Sequence, residues 1–449
     1  MESNSNSLFD YYGKPSMLKS FPIAMQHLLA MIVGNALPSI VLASALKSSE
    51  HAITDAQAIY LIQAGMFIAA IATLLQLYPV LKFGAKLPVI MGISFAYIPV
   101  LLSIGKQYGI GAVYASQLVG GIVAIFTGVF IGKIRKFFPP IVSGTVVLTI
   151  GLSLYSVAVN YMSGGNGPMQ GEIRNWVVAI ITLCVVLFCN MFMKGYIKLA
   201  AILVGIIVGY IISLFLGMVQ FDNVVNASWF MLPQIYPFKF QFHLDAILTM
   251  SIMYIVNSVQ AVGDLTSTTI GGMDREPTDV ELSGGIKANG LVSVIGAFIG
   301  ALPTATYSQN VGIVSMTKVI ARKVLLITAS MVFVCGLIPK FGALMLSVPQ
   351  AVIGGATISV FAQIAMSGMK LITSSEMSVR NTTIVGLGVA LGMGITQVGP
   401  NAVRYFPQWF RMVFTASPVV VATLVVFFLN IIIPEKTLEQ EEKERKEID

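Results

Sequence analysis

Apolar stretches of about twenty residues recur along almost the whole chain and are separated by short polar segments. Each stretch is close to the roughly 20 residues that a helix needs to cross the hydrocarbon core of a bilayer. The pattern therefore predicts an all-α polytopic membrane protein with about fourteen spans. The predicted spans are 21–44, 54–77, 86–104, 111–132, 139–160, 174–193, 197–218, 245–263, 284–301, 303–320, 322–339, 348–368, 380–397 and 414–434.

Two motifs recur at nearly the same offset. Leu87-Pro88 opens the third span and Leu302-Pro303 opens the tenth, 215 positions later (302 minus 87). A Pro-x-x-Val-x-Gly pattern starts at Pro139 and again at Pro349, an offset of 210 (349 minus 139). Two halves of seven spans each must be inverted relative to each other, because seven is odd. Inverted repeats are typical of secondary transporters, whose sites lie at mid-membrane between interrupted helices.

The repeats predict a domain organisation in which two repeats are joined by a loop and flanked by two tails. The predicted parts are an N-terminal tail (1–20), a first repeat (21–218), a connecting loop (219–244), a second repeat (245–434) and a C-terminal tail (435–449).

Both Leu-Pro openings are followed by residues that favour extended backbone, and proline interrupts a helix. We expect the segments near Leu87–Phe95 and Leu302–Tyr307 to be short strands that pair at mid-membrane. Extended backbone is tolerated at that depth only where protein or a cavity satisfies its polar groups. The pairing would leave two helix N-termini at the cavity, where electron-rich solute groups are favoured.

Composition supports a lipid-embedded protein, with 56% hydrophobic and only 10% charged residues. The net charge of +7 does not indicate nucleic acid, because the Lys and Arg residues lie in short loops between spans. Positive loops indicate the cytoplasmic side, so we expect a protein of the inner (plasma) membrane with both termini in the cytoplasm. The loops on that side carry Lys82, Lys86, Lys133, Arg135, Lys136, Lys194, Lys198, Lys318, Arg322 and Lys323. No cleavable signal peptide is expected, since the first apolar run is long enough to span.

Polar residues in the eighth span are the first candidates for a site, because charged and amide groups are costly at membrane depth. Asn257, Gln260 and Asp264 are spaced by three and four residues, which puts them on one helical face. Residues 266–269 extend this polar track. The alternative is that Asp264 lies at the cytoplasmic end of the span and caps a loop.

Two further spans carry isolated polar groups. Gln26 and His27 lie in the first span and Asn289 lies in the ninth. Each could belong to a site or could make a hydrogen bond between helices, and the sequence leaves both interpretations open.

The tenth span carries adjacent amides, Gln309 and Asn310, followed by Gly312 and Thr317. Two neighbouring amides offer two donors and two acceptors in a small space. That chemistry suits a flat, neutral solute with alternating donors and acceptors. A channel would also place polar groups in a pore, but the paired interrupted spans favour alternating access.

An enzyme is not expected. The three histidines, His27, His51 and His243, are scattered, and the sequence has no Cys/His cluster, so neither a metal nor another cofactor is predicted.

The run from Gln309 to Lys318, QNVGIVSMTK, fits the signature Q/E-N-x-G-x(4)-T-R/K/G of the nucleobase–ascorbate transporter family, which the chain resembles over nearly its whole length. Supporting matches are the segment 26–31, the run 137–144, Gly263-Asp264, the segment 349–357 and the final spans. Within the family, the sequence looks most like bacterial purine (xanthine and urate) permeases. Uracil permeases usually have Glu where this chain has Gln309.

The resemblance implies a core domain and a gate domain, solute/proton symport and often a homodimer. It implies substrate contacts from the third, eighth and tenth spans. Carried onto this sequence, these are Phe95, Ala96, Gln260, Gln309 and Asn310.

The resemblance also has consequences for proton coupling. The family usually has Glu at the position of Gln260 and an acidic residue at the position of Asn289. Because Gln and Asn do not titrate, Asp264 and His27 remain as the candidates that could carry a proton. These differences leave several substrates open. Gln260 favours hypoxanthine or guanine over xanthine, whereas the small side chain of Ala96 leaves room for the bulkier urate. A uracil permease or an uncoupled facilitator remains the alternative.

Overall fold

The computed structural model describes residues 7–47, 49–166, 169–235, 237–398, 403–407, 410–411, 414, 417–434 and 438–440. The predicted C-terminal tail (435–449) lies mostly outside these residues.

The described part of the chain is helical apart from two short strands and the connections. The helices are α1 (Met17–Lys47), α2 (Asp55–Leu77), α3 (Ile98–Tyr108), α4 (Ile110–Val129), α5 (Ile131–Ile134), α6 (Pro140–Met162), α7 (Ile173–Phe192), α8 (Gly195–Leu199), α9 (Ala201–Phe215), α10 (Asp222–Asn226), α11 (Leu244–Met273), α12 (Asp279–Ile299), α13 (Ser308–Thr317), α14 (Arg322–Gly336), α15 (Pro339–Leu346), α16 (Gln350–Thr373), α17 (Val379–Ile395) and α18 (Pro418–Ile432). The strands are β1 (Met91–Ile93) and β2 (Thr304–Thr306).

Eight of the described helices are long and apolar enough to cross a membrane, and α14 with α15, bent by 79°, makes nine if this bent pair is one span. The shorter apolar helices α9, α17 and α18 and the two strand-and-half-helix segments, β1–α3 and β2–α13, lie at the positions of the five remaining predicted spans within the described residues. The prediction of a polytopic α-helical protein with fourteen passes is confirmed.

The two strands pair with each other, as predicted. The antiparallel register joins Met91 to Thr306, Gly92 to Ala305, and Ile93 to Thr304. Tyr307 N–H donates to the Ile90 carbonyl at 3.0 Å, and its hydroxyl donates to the Ile93 carbonyl at 2.9 Å. The strands, of three residues each, are shorter than the predicted segments; a 3-10 turn at Phe95 follows β1, and α13 begins at Ser308 soon after β2. Each strand satisfies the other's backbone at mid-membrane.

The helices form two groups. The core group contains α1–α4, α11–α15 and both strands, and the gate group contains α6, α7, α9 and α16–α18. Within the gate group, α6 packs along α16, and these helices carry the two Pro-x-x-Val-x-Gly motifs. A Cβ at Gly144 would lie 2.8 Å from the Gly368 carbonyl oxygen, and one at Gly354 would collide with the Met162 backbone. The repeated glycine therefore permits the close crossing of α6 and α16.

The eighth span extends further than predicted. Helix α11 ends at Met273, with Asp274 as its left-handed C-cap, instead of near residue 263. The hydroxyls of Thr268 and Thr269 donate to the carbonyls one turn earlier, at 2.8 and 2.9 Å, so the polar track is compatible with continued helix. Asp264 consequently lies within the helix, and the interpretation of this residue as a loop cap is wrong.

Candidate functional site

A cavity of about 220 Å³ lies between the core group and the gate group. The core group contributes both strand ends and the start of each half-helix, and the gate group contributes α6 and α16. Its lining residues are Ile93, Ser94, Phe95, Ala96, Val147, Ile150, Gln260, Thr306, Tyr307, Ser308, Gln309, Gln363, Ile364 and Ser367. A solute held here would touch both helix groups at once.

A second cavity, of about 420 Å³, continues from the first and shares Val147, Gln260, Ser308 and Ser367 with it. It extends to Pro140, the first residue of α6, and to Lys370, near the end of α16. The two cavities together form a path from mid-membrane to the membrane face where α6 begins.

The core group and the gate group contact each other on the side of the smaller cavity that lies away from this path. The rings of Phe95 and Phe361 pack edge to face with centroids 5.4 Å apart. The Tyr161 hydroxyl, near the end of α6, donates to the Val41 carbonyl on α1 at 3.0 Å. The molecule is thus open toward one membrane face and closed toward the other.

Asp264 lies on α11 beside the start of α13. Its carboxylate accepts hydrogen bonds from the hydroxyl of Thr306 at 2.5 Å and from that of Ser308 at 2.8 Å. Ser308 is the first residue of α13, and a helix N-terminus favours a nearby negative charge. Asp264 also lines the second cavity.

Four of the five predicted binding residues line the smaller cavity together. Gln260 comes from α11, Gln309 comes from the first turn of α13, and Phe95 and Ala96 precede α3. The carboxamide of Gln309 is exposed, whereas Phe95 and Ala96 are buried at 8% and 5% exposure. The Ser94 hydroxyl caps this turn by accepting from the Ala96 N–H at 3.2 Å.

Asn310, the fifth predicted residue, is directed elsewhere. It is buried, and its amide donates to His27 Nδ1 at 3.0 Å and to the His27 carbonyl at 3.1 Å. His27 is fully buried on α1, and neither residue lines the cavities. Adjacent residues on a helix lie about 100° apart, so the amides of Gln309 and Asn310 face different sides of α13.

Asn257 and Asn289 form a buried chain behind the strands. Asn289 donates to the Asn257 side-chain oxygen at 3.1 Å and accepts from the Thr304 hydroxyl at 2.8 Å. This chain connects α11, α12 and β2. For Asn289 the geometry favours the helix-to-helix contact over a place in the cavity wall.

The remaining candidates lie outside the cavity lining. Gln26 is half-buried on α1, and Thr317 donates to the Ile313 carbonyl at 2.8 Å within α13. Gly312 is exposed, and a Cβ there would meet no atom of the described residues within 4 Å.

The residues of the gate group that line the cavities were not predicted from the sequence. Gln363 and Ser367 line the smaller cavity, and Lys370 lines the larger one. Their spacings of four and three place them on one face of α16. The same signal that identified Gln260, an amide inside an apolar span, was available at Gln363.

Comparison with known proteins agrees with this architecture. The family model Xan_ur_permease, described as a permease family, matches residues 18–400. Xanthine permease of Bacillus subtilis is 35% identical over 425 residues, covering 92% of this chain and 93% of that protein. Nucleobase transporter PlUacP of Paenibacillus larvae is 34% identical, covering 94% and 96%. Uric acid permease PucJ of B. subtilis is 34% identical, covering 93% of both chains.

Solved structures share the fold. The transmembrane domain of the cyanobacterial bicarbonate transporter BicA aligns with a TM-score of 0.59 at 16% identity, covering 92% of this chain and 97% of that one. The murine anion transporter Slc26a9, in its inward-facing state, aligns with a TM-score of 0.62 at 12% identity, covering 92% and 68%. The match to the family model extends over most of the sequence, and full-length relatives exceed 30% identity. The chain is therefore a multi-pass membrane transporter of this permease family, the nucleobase–ascorbate transporters that its QNVGIVSMTK run resembles.

Proposed function

We propose that this protein imports purine nucleobases, with an oxopurine such as xanthine or urate as the substrate. The observation that carries the proposal is the cavity between the two helix groups, which Gln260 and Gln309 line together. Relatives of the same length are named xanthine and uric acid permeases.

The lining chemistry suits an oxopurine. Each Gln offers a donor and an acceptor to the alternating N–H and C=O groups of the ring. Helices α3 and α13 both begin next to the cavity, and their N-termini favour electron-rich solute groups. Phe95 adds an apolar surface for a flat ring, and the small Ala96 leaves room for a larger purine such as urate.

Transport would proceed by alternating access. The gate group would move against the core group so that the path through the larger cavity closes and the Phe95–Phe361 contact opens. We propose that the open face is cytoplasmic, because the loops on that side carry most of the positive charge. The protein would then lie in the inner membrane with both termini in the cytoplasm.

We propose proton symport with Asp264 as the proton carrier. Ionised, its carboxylate accepts from both Thr306 and Ser308, whereas the protonated acid keeps only one oxygen as a full acceptor. Protonation would therefore loosen the start of α13, the helix that carries Gln309. The neutral residues Gln260 and Asn289 favour the second candidate, an uncoupled facilitator.

A homodimer is proposed from the family resemblance. Helices α7 and α17 of the gate group present exposed apolar side chains, including Phe188, Met191, Leu387 and Leu391, that lipid or a second copy would cover. The mass of the detergent-solubilised protein, measured by light scattering, distinguishes a monomer of 48.2 kDa from its dimer.

Uptake by cells that express this chain tests the proposal. Labelled xanthine, urate, hypoxanthine, guanine, adenine and uracil would be compared with and without a protonophore. We expect saturable uptake of an oxopurine that the protonophore abolishes. Uptake of uracil alone would contradict the purine assignment, and uptake that ignores the protonophore would favour the facilitator.

A further inference from the structure

The gate-side wall of the smaller cavity is apolar except at two residues. Val147 and Ile150 come from α6, and Ile364 comes from α16. The polar residues are Gln363 and Ser367, both on α16 and one turn apart. Ser367 donates its hydroxyl proton to the Gln363 carbonyl at 2.8 Å, so its donor is already used within the helix.

The side-chain amide of Gln363 has no such partner. It is exposed to the cavity, and within the described residues its carboxamide makes no hydrogen bond to the protein. An amide in the middle of a membrane-spanning helix is costly unless it is satisfied by water, protein or a solute. In the open state the cavity has room for water, which would satisfy the amide.

Closure of the path would change the surroundings of Gln363. The gate group carries Gln363, whereas Gln260 and Gln309 belong to the core group across the same cavity. If the groups approached each other around an empty cavity, water would leave and the Gln363 amide would be buried without a partner, which costs about 1–3 kcal/mol. A flat solute with polar groups on opposite edges would satisfy Gln363 and the core amides together.

We propose that Gln363 is a specificity-determining residue that binds the edge of the solute opposite to Gln260 and Gln309, and that this contact favours closure of the loaded over the empty carrier. The proposal rests on the proposed purine transport. It adds a substrate contact from the gate group to the core-group contacts that the family resemblance implies. A solute that lacks a polar group on that edge would bind to the open state, but the carrier loaded with it would close less readily.

The test compares Gln363→Leu, which removes the amide at similar size, and Gln363→Asn, which retracts it by one methylene. Gln350→Leu is the matched control. It makes the same change at the first residue of α16, and Gln350 lines neither cavity. Binding of xanthine, urate, hypoxanthine and guanine to the purified protein and their uptake by cells would be measured for each variant.

For Gln363→Leu we expect the apparent Kd of the preferred purine to rise roughly three- to tenfold, the effect of one lost buried hydrogen bond. The rise should differ among the four purines, so that their order of preference changes, and Gln363→Asn should give an intermediate result. Purine transport with unchanged affinity and unchanged order in both variants would overturn the role of Gln363 alone. A wild-type protein that neither binds nor transports any purine would overturn the proposed function and this inference with it.

Discussion

The carboxylate of Asp264 lies 2.5 Å from the hydroxyl of Thr306, the last residue of strand β2. A second hydrogen bond, to Ser308, ties the same carboxylate to the first residue of α13. A single acidic group on α11 thus spans the junction of strand and half-helix, directly before Gln309. Any change in its charge would act on the segment that carries a core amide of the cavity.

Replacement of Asp264 by Asn should abolish uptake driven by a pH gradient while equilibrium binding of purine is largely kept. Asn retains the shape and one acceptor oxygen for Thr306 or Ser308 but cannot exchange a proton. The measurement is uptake into proteoliposomes with and without an imposed pH gradient, together with binding to the purified variant. Proton-driven accumulation that survives in Asp264→Asn and is lost in His27→Gln would assign the proton to His27.

Replacement of Gln309 by Ala should raise the apparent Kd for purine about tenfold, because a buried hydrogen bond is lost and its solute partner is left unsatisfied. Thr317→Ala is the control on the same helix, since among the described residues the Thr317 hydroxyl bonds only within α13 and to the loop that follows it. Calorimetry on both purified variants gives the comparison. Normal purine affinity in a correctly folded Gln309→Ala protein would remove Gln309 from the site.

Asn310 and His27 should act as a pair that joins α13 to α1. Asn310→Ala should lower thermal stability and free the backbone carbonyl and ring nitrogen of His27, at a cost of about 1–3 kcal/mol. A double-mutant cycle with His27→Ala, followed by thermal unfolding in detergent, measures the coupling. If the two effects simply add, the 3.0 Å hydrogen bond between the two side chains does not couple them; the 3.1 Å bond, which goes to the backbone carbonyl, is lost only with the Asn310 amide.

Gly92→Ala should disrupt the strand crossing. An added Cβ would collide with the Tyr307 ring and would lie 2.8 Å from the Asn35 side-chain oxygen, and overpacking of this kind costs about 1–3 kcal/mol. Gly312→Ala is the matched control, because the same methyl group would meet no atom within 4 Å there in the part of the chain that the structure describes. In fluorescence-detected gel filtration after heating, the temperature at which half of the folded protein is lost should be lower for Gly92→Ala only. Equal midpoints would mean that the crossing is less tightly packed than these contacts indicate.

Local sequence signals were sufficient to predict the strands and the fold. The Leu-Pro openings interrupt the helices, and the residues after them favour extended backbone, so the pairing of β1 with β2 followed from the repeat. The direction of each side chain depends on packing between distant helices. For this reason Asn310 faces His27 instead of the cavity, although the adjacent residue, Gln309, lines the cavity.

The gate-side wall was harder to predict for the same reason. Gln363 is an isolated amide in a span rich in small residues, and only the packing of α16 on α6 directs it to the cavity. The length of α11 was also underestimated, because the Thr and Ser residues after Asp264 interrupt the apolar pattern although their hydroxyls bond back to the helix.

Substrate counterflow tests the central claim most directly. Purified protein would be reconstituted into liposomes loaded with unlabelled xanthine or urate, and entry of the labelled purine would be followed without any ion gradient. The account predicts a transient, saturable overshoot of labelled oxopurine that excess uracil does not compete away. Entry without an overshoot would indicate a channel, and the absence of entry for every purine, with a folded and correctly inserted protein, would contradict the account.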